Sequence, residues 1–208
     1  MSFLPENYEL PKSESRYYDL GEGENRFRIL SEAVTGWLYW VDEQGNVLSQ
    51  PVKGCQPIYV RDLGEIPKSA QANPNLSVRH FWCFVVFNRK TEQIQVCKLT
   101  QSSIMRGIEG YLRHPDWGDP IAYDFVVTKQ GDGLSTKYTV MVGPKQPLDE
   151  GIMAFYRELK IDLTRLFNGE DLFRDEPEQV QPRPQANGPV HPPVWTNGAQ
   201  VTHQSLGE

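Results

Sequence analysis

His80-Phe81-Trp82-Cys83-Phe84-Val85-Val86-Phe87 is the densest apolar stretch of the chain, and its reading decides the fold. Aromatic and β-branched residues dominate it, the polar turn Asn88-Arg89-Lys90 follows, and Ile94-Gln95-Val96-Cys97-Lys98-Leu99 completes a predicted β-hairpin. Alternate residues of a strand share a face. His80, Trp82, Phe84 and Val86 therefore point one way and Phe81, Cys83, Val85 and Phe87 the other. Both faces are largely apolar, so one is expected to line the core and the other to need a covering element or a ligand.

Downstream, Ile104, Ile108 and Leu112 recur at four-residue spacing and predict a helix over Gln101–Leu112, capped by Thr100 or Ser102, although Gly107 and Gly110 are poor helix residues. Pro115 and Pro120 stop it, with Trp117 anchoring the turn between them. A second hairpin is predicted from Tyr123–Lys129 and Thr136–Met141 around the turn Gly131-Asp132-Gly133. Upstream, Arg26–Leu30 and Gly36–Val41 read as one bent strand or a first hairpin. Leu48–Asn75, rich in proline and glycine, reads as a long loop.

The order is thus strand region, loop, hairpin, helix, hairpin. It predicts a mainly β domain over residues 25–147, a five-stranded oligonucleotide/oligosaccharide-binding (OB) barrel with a helix between strands 3 and 4. A helix covering an ordinary five-stranded antiparallel sheet has the same order. An N-terminal arm over 1–24, a helical extension over 148–174 that packs on the barrel, and a disordered tail over 175–208 complete the expected organisation. Six prolines among the last 34 residues, with Gln, Asn and Gly, leave that tail too little apolar surface to offset the entropy of folding.

The formal net charge of −6 speaks against a nucleic-acid partner, yet residues 79–141 hold 8 basic residues to 6 acidic ones. Three cysteines at wide spacing support neither a disulfide framework nor a zinc site, and Cys83 and Cys97 read as small buried side chains. No apolar run is long enough for a membrane span and no signal peptide is evident. No cofactor is expected.

A surface that binds a nucleic-acid strand needs aromatic platforms and cations. Trp37, Tyr39, Trp40, His80, Trp82, Phe84 and Tyr138 are candidates for the first role, with core packing as the alternative for each. Arg28, Lys53, Arg61, Arg79, Lys98, Lys129 and Lys137 are candidates for the second. No catalytic residue or metal ligand is assigned. Asp116, Asp119 and Asp124 form a compact acidic group that would suit a metal-dependent nuclease, but no further element of such a site accompanies it.

FRILSEAVTGWLYW at 27–40, HFWCFVVFN at 80–88, IQVCKLTQSSI at 94–104, DWGDPIAYDFVVTKQGDGLSTKYTV at 116–140, and the later PLDEGIMAFY and DLTRLF occur in the order expected of a known family. The chain resembles the single-stranded DNA-binding proteins of tailed bacteriophages. The resemblance implies an OB fold, sequence-independent binding and protection of single-stranded DNA during phage replication or recombination, and residence in the cytoplasm of the infected bacterial host. It makes Trp37, Trp40, Trp82 and Lys137 candidate contacts, and replication or recombination proteins candidate partners. One departure is the C-terminus Gln204-Ser205-Leu206-Gly207-Glu208, which lacks a strongly acidic tip. Val194-Trp195 is the alternative binding element of the tail. The competing expectation is a non-enzymatic protein-interaction or self-association module without DNA binding, in which the second apolar face of the 80–87 strand is buried against a partner or a second copy.

Overall fold

The structure is a computed structural model that describes residues 15–173 except 43, 50, 51, 53, 54, 56 and 72–77. The chain divides into a unit ending at Arg174 and another starting at Asp175, and every described residue belongs to the first. The expected disordered tail, with Val194-Trp195, lies outside the described residues. So does Lys53.

The strands are β1 (Tyr17–Tyr18), β2 (Gly23–Ile29), β3 (Val34–Trp40), β4 (Pro57–Val60), β5 (Arg79–Asn88), β6 (Gln93–Leu99), β7 (Asp124–Gln130) and β8 (Lys137–Val142). Helices α1 (Lys68–Gln71), α2 (Ser102–Leu112) and α3 (Glu150–Glu158) accompany them, with short 3-10 turns. None of the described helices is long and apolar enough to cross a membrane.

The 80–87 stretch forms β5, and β5 is the spine of the sheet. Along one edge it pairs with β6 from Trp82 to Asn88; the other edge is shared, first by β3 from Arg79 to Cys83 and then by β2 from Val86 to Asn88. Between these two ladders the Leu30 N–H donates to the Val85 carbonyl, and the Val85 N–H donates to the Ser31 hydroxyl, both at 2.9 Å. Ser31 thus replaces a strand carbonyl where the chain bends. The first strand region is therefore a bent strand whose halves diverge, β2 carrying β7 and β8, β3 carrying β4.

The expected five-stranded barrel does not form. The eight strands make one open, mixed sheet in the order β1-β6-β5-β2-β7-β8, with β3 and β4 branching from β5. Two features keep β8 from meeting β6. The arm supplies β1, which pairs in parallel with β6 through Tyr17↔Val96 and Tyr18↔Cys97. Helix α2 also packs closely against β8, with Gly107 set on the Val140 side chain.

Both hairpins and the helix between them form where the sequence places them. The N-cap is Gln101, whose side chain makes no capping bond, rather than Thr100 or Ser102. The buried stripe of α2 is Ile104, Met105 and Ile108, while Leu112 is exposed. The predicted 48–75 loop contains β4 and α1, whose edge-strand proline and short length hide them in the sequence.

Two cores lie on opposite faces of β5. Phe84 and Val86 join Phe27, Ile29, Phe125, Val127 and the α2 stripe. Phe81, Cys83, Val85 and Phe87 pack with Leu163, Leu166, Leu172 and Phe173 from the end of the described chain. The second face of the hairpin is thus covered from within the same chain, which removes the reason to seek a partner there. Burial pushes the Cys83 thiol up to about 12, and Cys97 higher still, so both are inert fillers at neutral pH.

The two glycines of α2 differ in kind. A Cβ on Gly107 would lie 2.7 Å from Val140 Cβ and Cγ2, whereas one on Gly110 would meet nothing within 4 Å. Gly110→Ala is expected to stabilise the protein by about 0.5–1 kcal/mol through helix propensity. Gly107→Ala is expected to destabilise it by about 1–3 kcal/mol because a stiff β-branched neighbour cannot give way. Urea denaturation of the two variants reads the opposite signs directly.

Candidate functional site

The thirteen candidate strand-binding residues that are described do not converge on one groove. Arg28 and Phe84 are buried, at 0% and 2% exposed, and Tyr39 at 8% belongs to a small third core with Val60 and Ile66. Trp82 and Tyr138 are half-buried against the α2 core. Trp40 packs against the opposite core with the Arg79 guanidinium 5.6 Å from its ring centre. Trp37 and the exposed His80 lie side by side across the β3–β5 ladder with ring centres 5.1 Å apart.

Arg61 covers Phe167 at 4.3 Å, and the Lys98 ammonium sits over Tyr17 at 4.5 Å and Tyr59 at 5.4 Å. Burial lowers the pKa of Lys98, because the partly enclosed ammonium has lost part of its hydration. Lys129 is half-buried and Lys137 exposed, near the far edge of the sheet. Trp117 anchors its turn by edge contacts to Tyr111 and Tyr123 at 5.8 and 5.3 Å.

The most concentrated charge lies where the sequence pointed to an acidic group. Asp116 and Asp119 are exposed, and Asp119 accepts the Ile121 N–H to cap a 3-10 turn. Asp124 faces Arg28 across the β2–β7 ladder and is 3% exposed. Its Oδ1 accepts from Arg28 Nε at 2.6 Å and Arg89 Nη2 at 3.0 Å, and its Oδ2 from Arg26 Nε at 2.9 Å. Burial alone would raise this carboxyl's pKa, but hydrogen bonds and charge from Arg89 and Arg28 outweigh it and hold the group below its ordinary value. No described group of three His, Cys, Asp or Glu residues could hold a metal ion.

Arg28 also donates through Nη1 to the Ile121 and Gln146 carbonyls, at 2.8 and 3.0 Å, while its Nη2 has no hydrogen-bond partner among the described residues. Arg26 and Arg89 were not among the sequence candidates. The usable signal was Arg26-Phe27-Arg28, which sets two guanidinium groups on one strand face, together with Asp124 set among the apolar Tyr123, Phe125 and Val126.

The second candidate is the free edge of the sheet. Gly143 N–H bonds to the Asp124 carbonyl at 2.9 Å, and antiparallel alternation then turns the N–H and C=O groups of Tyr138, Val140 and Val142 away from β7. No described strand pairs with them. The Tyr111 hydroxyl lies 3.5 Å from the Val140 carbonyl, and Lys137, Thr139 and Met141 expose their side chains.

Comparison with protein-family models, curated proteins and solved structures finds no match to this chain. The resemblance to phage single-stranded DNA-binding proteins is therefore unsupported at the level of family. The open sheet also lacks the closed OB barrel whose groove was to hold the strand, so neither the binding of single-stranded DNA nor the associated replication or recombination role follows.

Proposed function

We propose that this chain is a non-enzymatic protein-interaction module that self-associates edge to edge through β8. The observation that carries this reading is the six-residue edge that ends the open sheet and that no described strand pairs. Apart from the Val140 carbonyl, which accepts from the Tyr111 hydroxyl at 3.5 Å, the outward backbone donors and acceptors of this edge have no partner among the described residues, the ordinary template for adding a strand. Symmetric antiparallel pairing about Val140 sets Tyr138 opposite Val142 of a second copy, and all three outward-facing residues then bond. The same register places Thr139 beside Met141 of that copy on the exposed face. Met141 is 52% exposed, so the pairing also buries apolar surface. Lys137 is the single cation on that face of the strand and lies clear of its own mate in this register.

The test is sedimentation velocity of the full chain across a concentration series. The expected result is a monomer–dimer equilibrium. Thr139→Lys combined with Met141→Lys places like charges across the new ladder and is expected to leave a monomer with an unchanged melting temperature. A wild-type chain that stays monomeric at every concentration, or a double variant that dimerises as well as the wild type, would overturn the reading.

A further inference from the structure

The sheet has a second end. All of β6, from Gln93 to Leu99, pairs with β5 on one side, and on the other side only the two residues of β1 cover it. The backbone contribution of that cover is slight. The Val96 N–H donates to the Arg16 carbonyl at 3.0 Å, and the pairing is parallel, the weaker kind per residue. Side chains hold the arm more firmly. The buried Gln95 amide donates to the Ser15 and Tyr17 carbonyls at 2.6 and 3.4 Å. The two tyrosines straddle the sheet: buried Tyr18 stands edge-on to Phe27 at 5.2 Å on the α2 side, and Tyr17 meets Phe173 at 6.1 Å on the other.

Beneath the arm, the β6 edge matches β8. The strands are seven and six residues long. On the α2 side β6 carries Cys97 and Leu99, and β8 carries Tyr138, Val140 and Val142, all packed in one core. Their opposite sides carry Val96 and Lys98 on β6, and the exposed Thr139 and Met141 on β8. Pairing the two edges therefore keeps the apolar residues of both strands on one face. Within one chain the strands lie at opposite ends of the sheet order, with α2 set on Val140. The β8 that fits this edge belongs to a second copy.

The two pairings differ in what they leave open. β8 on β8 joins two chains and stops, because the symmetric contact uses the same edge of both. β8 on β6 is a head-to-tail contact that leaves a free edge at each end and goes on adding chains. A symmetric pair makes one interface for two chains, whereas a head-to-tail row makes nearly one for each. From these contacts, and resting on the reading of β8 as a strand-adding edge, we infer that the β6 edge is a second docking surface for β8 of another copy, guarded by the Ser15–Tyr18 arm. By occupying that edge the arm limits self-association to the β8 pair, as short edge strands do elsewhere.

Tyr17→Ser combined with Tyr18→Ser in the full chain loosens the arm and leaves β6 itself unaltered. Sedimentation velocity is expected to show species larger than a dimer, their share rising with concentration, where the wild type stops at a dimer. Adding Thr139→Lys and Met141→Lys should remove them. So should an excess of the peptide SESRYYDLGE, residues 13–22, which refills the edge, while the scrambled YSDGRELSYE should not. Gln95→Ala keeps Tyr18 in its core and is expected to give the same change to a smaller degree, so it carries the test if the double variant melts without a cooperative transition. A cooperatively folded double variant that stops at a dimer overturns the guard and leaves the β8 pair standing. A wild type that stays monomeric while the double variant assembles through β8 does the reverse. Larger species that survive Thr139→Lys with Met141→Lys, or that both peptides affect equally, overturn the proposal. So does a double variant that stays monomeric with its Val96 amide still protected from hydrogen exchange, because β8 of the same chain has then closed on β6.

Discussion

Asp124→Ala is expected to lower stability by about 3–5 kcal/mol, the range for a buried ion pair broken from one side. The size follows from what is left behind. Arg28 is 0% exposed and would keep its charge with only the Ile121 and Gln146 carbonyls as partners. Arg26 and Arg89 would lose the group that offsets their mutual repulsion. Urea denaturation monitored by tryptophan fluorescence measures the difference, and a change below about 1 kcal/mol would mean that Arg28 reaches water or another acceptor once the carboxylate is gone.

The same carboxylate gives the fold an acid limit. Its pKa is lowered in the folded state from an ordinary 3.8, so the unfolded chain takes up the proton first as pH falls. The stabilisation is complete above that ordinary value and is lost as pH drops through the lower folded-state value. Asp124→Asn should therefore flatten the acid side of the stability profile.

Ending the chain at Pro147 is expected to abolish cooperative folding. The residues removed include Leu163, Leu166, Leu172 and Phe173, exposed by 8%, 5%, 1% and 8%. Each such side chain contributes about 1.5–3 kcal/mol by burial, and four together approach the whole stability of about 5–15 kcal/mol typical of a domain. The truncation also uncovers Phe81, Cys83 and Val85, all 0% exposed in the intact protein. Near-ultraviolet circular dichroism and thermal melting should show no cooperative transition. Leu172→Ala is the milder version and should cost about 2–5 kcal/mol while leaving the transition two-state. A truncated chain that melts sharply would mean that the first core, on the α2 side, folds alone.

These two predictions bracket what could be read from the residues. Strong alternation and turn chemistry made both hairpins and α2 visible, because their signals are local. The two-sided apolar pattern of 80–87 correctly demanded a cover, and Leu163, Leu166, Leu172 and Phe173 of the 148–174 extension, which was expected to pack on the barrel, supply it. Sheet closure was not legible. Whether β8 meets β6 depends on Tyr17 and Tyr18 reaching the β6 edge and on Gly107 admitting Val140, contacts between residues far apart in sequence. An OB-like element order is compatible with either outcome. Candidate residues suffered similarly: an aromatic in a strand reads the same whether buried like Phe84 or half-exposed like Trp82. Arg28 looked like a phosphate ligand because its partner, Asp124, is separated from it by most of the domain.

The position of β5 between two cores also bears on how the protein is made. The strand leaves the ribosome with both faces bare, and the cover of one face, Leu172 and Phe173, is among the last described residues to be synthesised. At about 5–20 residues per second, several seconds of translation separate Phe81 from Phe173, and the ribosome itself shields a further stretch of chain. During that interval Phe81, Cys83, Val85 and Phe87 have no native neighbour from the C-terminal segment. Folding of this sheet is therefore completed only once Leu172 and Phe173 have emerged, and until then its most apolar strand is open to pairing elsewhere.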